Sequence, residues 1–374
     1  MKNLLDGIEE ILLMGPGPSH VPPEVYKAMT CKTLGYLDPY FILIMDEIQY
    51  LLRKLFMTDN EATYPVSGTG SSGMETCLVN LIEPKDRVLI LVNGVFGKRM
   101  IEVASRLGAN VSHIEFKWGT PILEDKIEDE LSKRDYKIIA AVHGETSTGV
   151  KNPIENIVKL VKETDSLFLV DCVTTLGGMQ VNVDKCGLDA VYSGSQKCLS
   201  CPPGLAPVTF SEKAFSSVLE RKEKVPSFYF DASLANRYWS GEEKRIYHHT
   251  APSNMIYGLY QALQLVFNEG IQNVFKRHID SHNELVKRLE EMDLQLMVDK
   301  PHRLPMLNTV RIPEGVDDVK IRRILREHYK IEIGGGLGPL AGKIWRIGLM
   351  GHTATLQNVE RLTETLKHVI KKGH

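Results

Sequence analysis

Short apolar runs that alternate with helical stretches constrain the fold of this 374-residue chain more than any other feature. Each run suits one buried strand and leads into polar or charged residues. This alternation predicts an α/β fold with a mostly parallel sheet covered by helices on both faces. The clearest runs are residues 88–92, 138–142, 166–170 and 190–193, and a further run at 206–210 is expected to return along the sheet.

The last parallel run leads to Lys197, and a Pro-Pro-Gly turn follows at 202–204. A lysine at the end of a buried strand loses hydration, which lowers the pKa of its amine and lets it form a Schiff base. The preceding run ends in Asp171, and parallel strands place both residues at the ligand-binding edge of the sheet. A lysine for the aldehyde and an aspartate for the pyridinium nitrogen predict a pyridoxal phosphate site. A solvated surface lysine is the alternative.

The composition is that of a soluble globular protein, with 43% hydrophobic and 25% charged residues. The formal net charge of −2 gives no basic field for nucleic acid or an anionic membrane. No run approaches the ~20 apolar residues of a membrane span. The length predicts two domains, or one large domain with a smaller one. We expect an N-terminal arm at 1–20, a large cofactor-binding domain at 21–270 and a small α+β domain at 271–374.

Six cysteines are scattered along the chain except for Cys198 and Cys201. That pair could be a redox pair or half of a zinc site, but a zinc site needs about four ligands and no second pair has suitable spacing. Two small buried residues beside Lys197 are the preferred interpretation, and no metal site is predicted. The acidic start does not resemble a signal peptide, so we expect a reduced cytoplasmic location.

A Gly/Ser/Thr loop at 67–73 opens a helix, and a helix N-terminus offers free N–H groups and positive dipole to a phosphate. The loop contains a literal G-x-G-x-x-G, which is also typical of nicotinamide dinucleotide sites. That fingerprint needs an uninterrupted strand before the loop and an acidic residue at the end of the following strand. Here Pro65 interrupts the strand before the loop, and Asp86 lies before the following run at 88–92 and not after it. The loop therefore predicts phosphate binding but only weakly a dinucleotide.

Two further side chains are candidates for binding. Phe96, at a strand-to-helix junction, could stack on a planar ring, and plain core packing is equally consistent with its position. Arg346 lies in apolar surroundings that suit a guanidinium reserved for a carboxylate, with a structural ion pair as the alternative.

The ordered motifs of the chain resemble those of class V aminotransferases, most of all the alanine–glyoxylate / serine–pyruvate aminotransferase branch. The resemblance covers residues 12–366. The motifs are G-P-G-P-S at 15–19, L-D-P at 37–39, S-G-T-G at 67–70, N-G-V-F-G at 93–97, H-G-E-T-S-T-G at 143–149, S-G-S-Q-K at 193–197, P-P-G at 202–204, Y-H-H-T at 247–250 and R-I-G at 346–348, with Asp171 between the fifth and sixth.

The resemblance implies a fold-type I pyridoxal phosphate enzyme, with a large seven-stranded sheet domain, a small C-terminal α+β domain and a homodimer whose active sites lie at the subunit interface. It implies that Lys197 binds the cofactor aldehyde and that Asp171 pairs with the pyridine nitrogen. Val173 and Phe96 are expected on the two ring faces, and Ser147 near the ring hydroxyl and the substrate.

The resemblance also implies how the phosphate and the substrate are held. Arg346 is expected to bind the substrate carboxylate, and Tyr36 to lie in the substrate-facing arm and influence which side chain is accepted. The expected phosphate contacts are Thr69, Gly70, Ser71 and Gln196, together with Tyr247 and Thr250 of the partner subunit.

These residues predict a ping-pong aminotransferase that moves an amino group from a small amino acid, of the alanine or serine type, to glyoxylate or pyruvate. A phosphonate amine or a larger amine fits the same pattern of residues. Three rivals remain: a β-lyase or desulfurase, which needs a mobile catalytic cysteine; a nicotinamide dehydrogenase; and a non-catalytic protein, which needs no Lys197, Asp171 and Arg346 set.

Overall fold

The computed structural model describes residues 3–240 and 245–371. The strands are β1 (Leu12–Leu13), β2 (Thr63–Ser67), β3 (Arg87–Val92), β4 (Asn110–Glu115), β5 (Ile138–Val142), β6 (Gly144–Glu145), β7 (Val150–Lys151), β8 (Leu167–Asp171), β9 (Ala190–Tyr192), β10 (Leu205–Phe210), β11 (Leu307–Arg311), β12 (Ile331–Glu332), β13 (Gly334–Gly335) and β14 (Ile344–Gly348). The α-helices are α1 (Pro23–Met29), α2 (Pro39–Phe56), α3 (Gly70–Leu81), α4 (Val95–Arg106), α5 (Glu124–Leu131), α6 (Ile154–Val161), α7 (Val183–Cys186), α8 (Glu212–Leu219), α9 (Ala232–Trp239), α10 (Ser253–Glu269), α11 (Ile271–Glu290), α12 (Asp318–Tyr329) and α13 (Leu356–Lys371). Short 3₁₀ helices lie at Leu4–Gly7, Lys300–His302, Gly338–Leu340 and Gly351–Thr353.

The central feature is a seven-stranded sheet with the strand order β2-β10-β9-β8-β5-β3-β4. The strands from β9 to β4 pair in parallel, whereas β10 runs antiparallel to both β9 and β2. Every residue of β5 and β8 is buried, as expected for strands covered on both faces. The predicted α/β fold and the returning strand are confirmed.

The strand register aligns the ends of three neighbouring strands, where the candidate site residues lie. Val142 of β5 pairs with Asp171 of β8, and Asp171 pairs with Tyr192 of β9. All three residues end their strands, so the loops that follow meet at one edge of the sheet.

Pro65 contradicts the expectation that it interrupts the preceding strand. It lies inside β2, which is an edge strand, and it stands opposite Pro207 of β10. A proline is tolerated at an edge strand because its missing N–H breaks no ladder on the solvent side. The edge position is a tertiary property that the local sequence does not reveal.

A second hydrophobic core joins the C-terminal helices and the antiparallel sheet β11-β14-β13. Met14 of the N-terminal arm is buried in this core, and β1 pairs with β12. The main core reaches Val274, just beyond Gly270, which separates α10 from α11. The proposed domain boundary near Gly270 stays a prediction. Among the described residues, no helix combines the length and apolar character that crossing a membrane requires.

Candidate active site

A cavity of about 220 Å³ opens where β8 and β9 end. It brings together most of the residues predicted to hold a cofactor, although these come from four separate parts of the chain. Its lining residues are Thr69, Gly70, Ser71, Met74, Phe96, Arg99, Asp171, Val173, Tyr192, Gln196 and Lys197.

Lys197 lies in a turn beyond the end of β9 and not at the strand end itself, which corrects the sequence-based expectation. Its side chain is buried, and Nζ donates a hydrogen bond to the carbonyl oxygen of Pro16 in the N-terminal arm. Ser19 Oγ donates to the Lys197 carbonyl oxygen at 2.6 Å. Burial lowers the pKa of the Lys197 amine to about 8, and the charge of Arg346 acts in the same direction. The amine is therefore available as a nucleophile near neutral pH.

Asp171 presents a buried carboxylate to the same cavity. Oδ1 accepts a hydrogen bond of 2.8 Å from the Val173 backbone N–H, and Oδ2 accepts one of 2.7 Å from the Tyr192 hydroxyl. Burial raises the Asp171 pKa to about 6, while both hydrogen bonds and the charge of Lys197 favour the ionised form. Such a carboxylate is oriented to accept a hydrogen bond from a protonated ring nitrogen and so to keep that nitrogen charged.

Tyr192 is a site residue that the sequence interpretation missed. Its side chain is fully buried, and burial together with the nearby Asp171 charge raises the pKa of its hydroxyl well above the ordinary value, so it acts as a donor. The available signal was its position as the last aromatic residue of the run at 190–193, next to the run that ends in Asp171.

The start of α3 forms the end of the cavity that is expected to bind the phosphate. Thr69 precedes the helix without a side-chain capping bond, and Gly70 begins it. No hydrogen bond among the described residues uses the backbone N–H of Gly70 or Ser71. Gln196 Oε1 is buried without a hydrogen-bond partner. An anion here would accept hydrogen bonds from the free N–H groups of Gly70 and Ser71. Gln196 could donate to it only through its amide nitrogen, since Oε1 is an acceptor.

Phe96 and Val173 both line the cavity, so each predicted ring-packing side chain is placed where it can contact a planar ligand. The Phe96 backbone N–H donates to Glu145 Oε2 at 3.1 Å, which fixes the start of α4. A Cβ at Gly94 would overlap the Glu145 side chain, so this approach requires glycine.

Ser147 does not line the cavity directly. Its Oγ donates to Glu145 Oε1 at 2.6 Å and accepts from the Val95 N–H at 3.0 Å. Burial raises the pKa of Glu145, and hydrogen bonds from Ser147 and the Phe96 backbone oppose this shift. The sequence interpretation missed Glu145, although it is the one carboxylate of the motif at 143–149.

Arg346 is buried on β14, and Nε donates to the Gly335 carbonyl oxygen at 2.7 Å. Nη1 donates to the Thr146 carbonyl oxygen at 3.3 Å. Burial lowers the pKa of the guanidinium to about 10. No ion pair among residues 3–240 and 245–371 includes Arg346, so the structural ion pair considered above is not found there. The buried Glu145 acts on the Arg346 charge from beyond ion-pair distance, and the guanidinium can still pair with an external anion.

Tyr36, Tyr247 and Thr250 lie outside the cavity of their own chain. The Tyr36 and Tyr247 rings have centroids 4.4 Å apart, and Tyr247 Oη lies 3.0 Å from Thr250 Oγ1. All three residues are exposed. Their segment is fixed to the start of the phosphate loop, because His249 Nε2 lies 2.7 Å from Ser67 Oγ.

Cys198 and Cys201 are buried free thiols, and burial raises the pKa of each to about 12. Neither is suited to act as a thiolate at neutral pH. Within the described ranges, no cluster of three or more His, Cys, Asp or Glu side chains could hold a metal ion.

The sequence matches the family model described as aminotransferase class-V over residues 11–362. The alanine–glyoxylate aminotransferase of Rattus norvegicus is 39% identical, and the match covers 97% of this chain and 88% of the rat enzyme. The (S)-ureidoglycine–glyoxylate transaminase of Bacillus subtilis (strain 168) is 40% identical, with coverage of 93% and 87%. The crystal structure of alanine–glyoxylate aminotransferase from Nostoc sp. superimposes with a TM-score of 0.95 at 45% identity, over 97% of this chain and 96% of that one.

The cavity fits pyridoxal phosphate on its own chemistry. It offers a buried amine of lowered pKa for the aldehyde, a hydrogen-bonded carboxylate for the ring nitrogen, and free backbone N–H groups at the start of α3 for the phosphate. The dehydrogenase and non-catalytic alternatives are set aside by the match to transaminases over nearly the whole chain. The desulfurase alternative is set aside by the same identity of about 40% with transaminases and by the burial of Cys198 and Cys201. This chain belongs to the class V aminotransferase family and is a pyridoxal-phosphate-dependent transaminase.

Proposed function

We propose that this transaminase moves the amino group of a small amino acid, of the alanine or serine type, to glyoxylate or pyruvate in a ping-pong reaction. The observation that carries the proposal is the buried Arg346 guanidinium, which forms no ion pair among the described residues. It can hold the carboxylate that every amino acid and 2-oxo acid has in common. The rat and Bacillus relatives both have glyoxylate in their names, whereas their amino donors differ.

Lys197 and Asp171 are proposed as the catalytic residues. When bound, pyridoxal phosphate supplies a ring that takes up the electrons left by breaking the substrate Cα–H bond. Lys197 Nζ would hold the cofactor aldehyde and, as a free amine, would take the substrate Cα proton as general base. Asp171 keeps a positive charge on the ring nitrogen, and Tyr192 holds its carboxylate in place.

The remaining residues are proposed to position the cofactor and the substrate. Phe96 and Val173 contact the two ring faces, and Ser147 acts near the ring hydroxyl and the substrate, oriented by Glu145. Arg346 fixes the substrate carboxylate. The phosphate contacts within the chain are Thr69, Gly70, Ser71 and Gln196.

A homodimer with shared sites is part of the proposal. Tyr247 and Thr250 form an exposed, mutually hydrogen-bonded pair that contributes nothing to the cavity of its own chain. Thr69 and Ser71 are exposed at the phosphate end, so a second subunit is needed to cover it. In this arrangement Tyr247 and Thr250 reach the partner's phosphate, and Tyr36, packed on Tyr247, borders the substrate entrance and influences side-chain selection. All six cysteines are free, which supports a cytoplasmic location.

A screen of amino donors tests the function. The holoenzyme is incubated with alanine, serine, a phosphonate amine, ureidoglycine or pyridoxamine, and each donor is combined with glyoxylate or pyruvate. We expect the highest kcat/KM for alanine or serine, measured as the 2-oxo acid formed. Activity restricted to ureidoglycine or pyridoxamine would contradict the proposed donor, and absence of transfer from every donor would contradict the proposed reaction.

A further inference from the structure

The ligands proposed so far for the cofactor phosphate include no positively charged side chain to balance the phosphate charge. A phosphate monoester carries about −1.5 to −2 charges at pH 7. The proposed phosphate ligands are backbone N–H groups, hydroxyls and an amide, all of them neutral. A dianion removed from water requires a nearby cation to offset its loss of hydration. Lys197 is committed to the aldehyde, at the other end of the cofactor.

Arg99 is the other cationic side chain that lines the cavity, among the described residues. It belongs to α4, whose first turn also carries Phe96. The Arg99 guanidinium carbon lies 5.0 Å from the centroid of the Phe96 ring, and Nη1 lies 3.5 Å from Ser71 Oγ. Arg99 therefore extends from the expected ring-stacking position to Ser71, in the first turn of α3.

Arg99 also lacks an acidic partner within the described part of the chain, where the ion pairs include Lys98 but not Arg99. Lys98 Nζ, on the neighbouring residue, lies 3.0 Å from Glu115 Oε1. The helix thus presents one lysine that is already paired and one arginine that is not. An arginine stacked on an aromatic ring keeps its N–H groups free for a phosphate, because stacking uses the face of the guanidinium and hydrogen bonding uses its edge.

We infer that Arg99 is the counter-ion of the cofactor phosphate and binds it through charge-assisted hydrogen bonds. The inference rests on the proposed cofactor site and adds the cation which that site otherwise lacks. Ser71, at the N-terminus of α3, is the residue through which Arg99 reaches the phosphate loop. Arg99 acts on cofactor retention and not on the bond-breaking steps.

A comparison of two cofactor forms tests this role. The apoprotein is titrated with pyridoxal phosphate and, separately, with pyridoxal, which has the same aldehyde and ring but no phosphate. Binding is followed by absorbance and by quenching of protein fluorescence. In Arg99→Gln we expect the dissociation constant for pyridoxal phosphate to rise roughly tenfold or more, as for loss of one charged hydrogen-bond partner. The constant for pyridoxal is expected to stay unchanged.

Two matched variants complete the design. Arg99→Lys keeps the charge and is expected to restore part of the affinity, and Lys98→Gln removes a neighbouring charge and is expected to leave both constants unchanged. Added salt weakens phosphate binding in the wild type more than in Arg99→Gln. An equal effect of Arg99→Gln on both cofactor forms, or no effect on either, would overturn the inference.

The outcome also separates this inference from the proposed function. If the wild type binds pyridoxal phosphate and Arg99→Gln binds it equally well, only the role of Arg99 is wrong. If the wild type binds neither cofactor form, the proposed site itself is wrong and the inference fails with it. Circular dichroism and thermal unfolding of each apoprotein show whether the exposed Arg99 side chain was replaced without loss of fold.

Discussion

The Tyr192 hydroxyl donates a hydrogen bond of 2.7 Å to Asp171 Oδ2, from the last residue of one parallel strand to the last residue of the next. This bond joins two of the buried polar groups at the sheet edge. It leaves Asp171 oriented by two donors, since the Val173 N–H binds the other carboxylate oxygen. The Tyr192 hydroxyl therefore influences the charge on Asp171, and that charge is what stabilises a protonated ring nitrogen.

Tyr192→Phe is expected to lower kcat several-fold and to shift the acidic limb of the pH profile upward. The hydroxyl stabilises the ionised form of Asp171, so its loss raises a pKa that burial already holds at about 6. As pH falls, Asp171 then becomes neutral sooner and supports the ring charge less well. The measurement is the pH dependence of kcat for both enzymes. A uniform decrease in kcat with an unshifted profile would contradict this positioning role.

Lys197→Ala is expected to abolish turnover and to remove the visible absorbance of the lysine-bound cofactor. No other described lysine lines the cavity, so the variant has no substitute amine there. Removing a buried amine of lowered pKa should not destabilise the fold, and the thermal unfolding midpoint serves as the control. Retention of both turnover and absorbance would overturn the assignment of Lys197.

The rate at which the apoprotein takes up the cofactor is expected to rise with pH and to level off above about 8. Only the neutral amine attacks the aldehyde, and burial lowers the Lys197 pKa to about 8. The charge of Arg346 contributes to that lowering, so Arg346→Ala should move the midpoint of the rise to higher pH. Stopped-flow absorbance at a series of pH values measures both midpoints. Identical midpoints in the two proteins would argue against electrostatic contact between these residues.

Arg346→Ala is expected to raise the KM for the amino acid by roughly ten- to a hundredfold, the effect of losing a charged hydrogen-bond partner. The cofactor should remain bound, because the Arg346 hydrogen bonds go to backbone carbonyls outside the cavity. Arg288→Ala is the matched control, since Arg288 pairs with Glu284 on its own helix. Loss of cofactor with unchanged substrate affinity would show that Arg346 has a different role.

Mixing two inactive variants is expected to restore activity if the sites are shared between subunits. Lys197→Ala lacks the amine, and a Tyr247→Ala, Thr250→Ala double variant lacks the proposed partner contacts. An equal mixture exchanged under mild denaturant yields hybrid dimers with one intact site of two, or about a quarter of wild-type activity in a twofold-symmetric dimer. A mixture no more active than its components would exclude donation across the interface.

Lys197 and Asp171 can be predicted from the sequence because each follows or ends a recognisable apolar run. Asp171 follows an apolar run, Lys197 follows the next, and parallel strands bring such ends to one edge. The sequence does not show that β9 ends at Tyr192, before the turn that carries Lys197, because the length of a buried strand depends on the strands that pair with it. It also does not show that Pro65 fits within β2, since only the assembled sheet reveals that β2 lies at an edge.

Sequence patterns do not predict the residues that position other side chains or complete the site from a neighbouring element. Tyr192 depends on the register between β8 and β9, and Glu145 on the approach of a loop to the start of α4. Arg99 depends on the direction in which α4 turns its side chains relative to α3. A single sequence places each on a strand, loop or helix but does not specify what lies across from it.

The N-terminal arm joins the reactive lysine to the C-terminal core. Its β1 pairs with β12, and the Gly348 N–H donates to the Met14 carbonyl oxygen at 2.7 Å. A few residues later, Pro16 accepts from Lys197, and a Cβ at Gly17 would overlap the same amine. The arm is therefore held by the C-terminal core on one side and contacts the reactive amine on the other. A substitution that loosens β1 from β12 would remove the support of the backbone that Lys197 contacts, although neither strand lines the cofactor cavity.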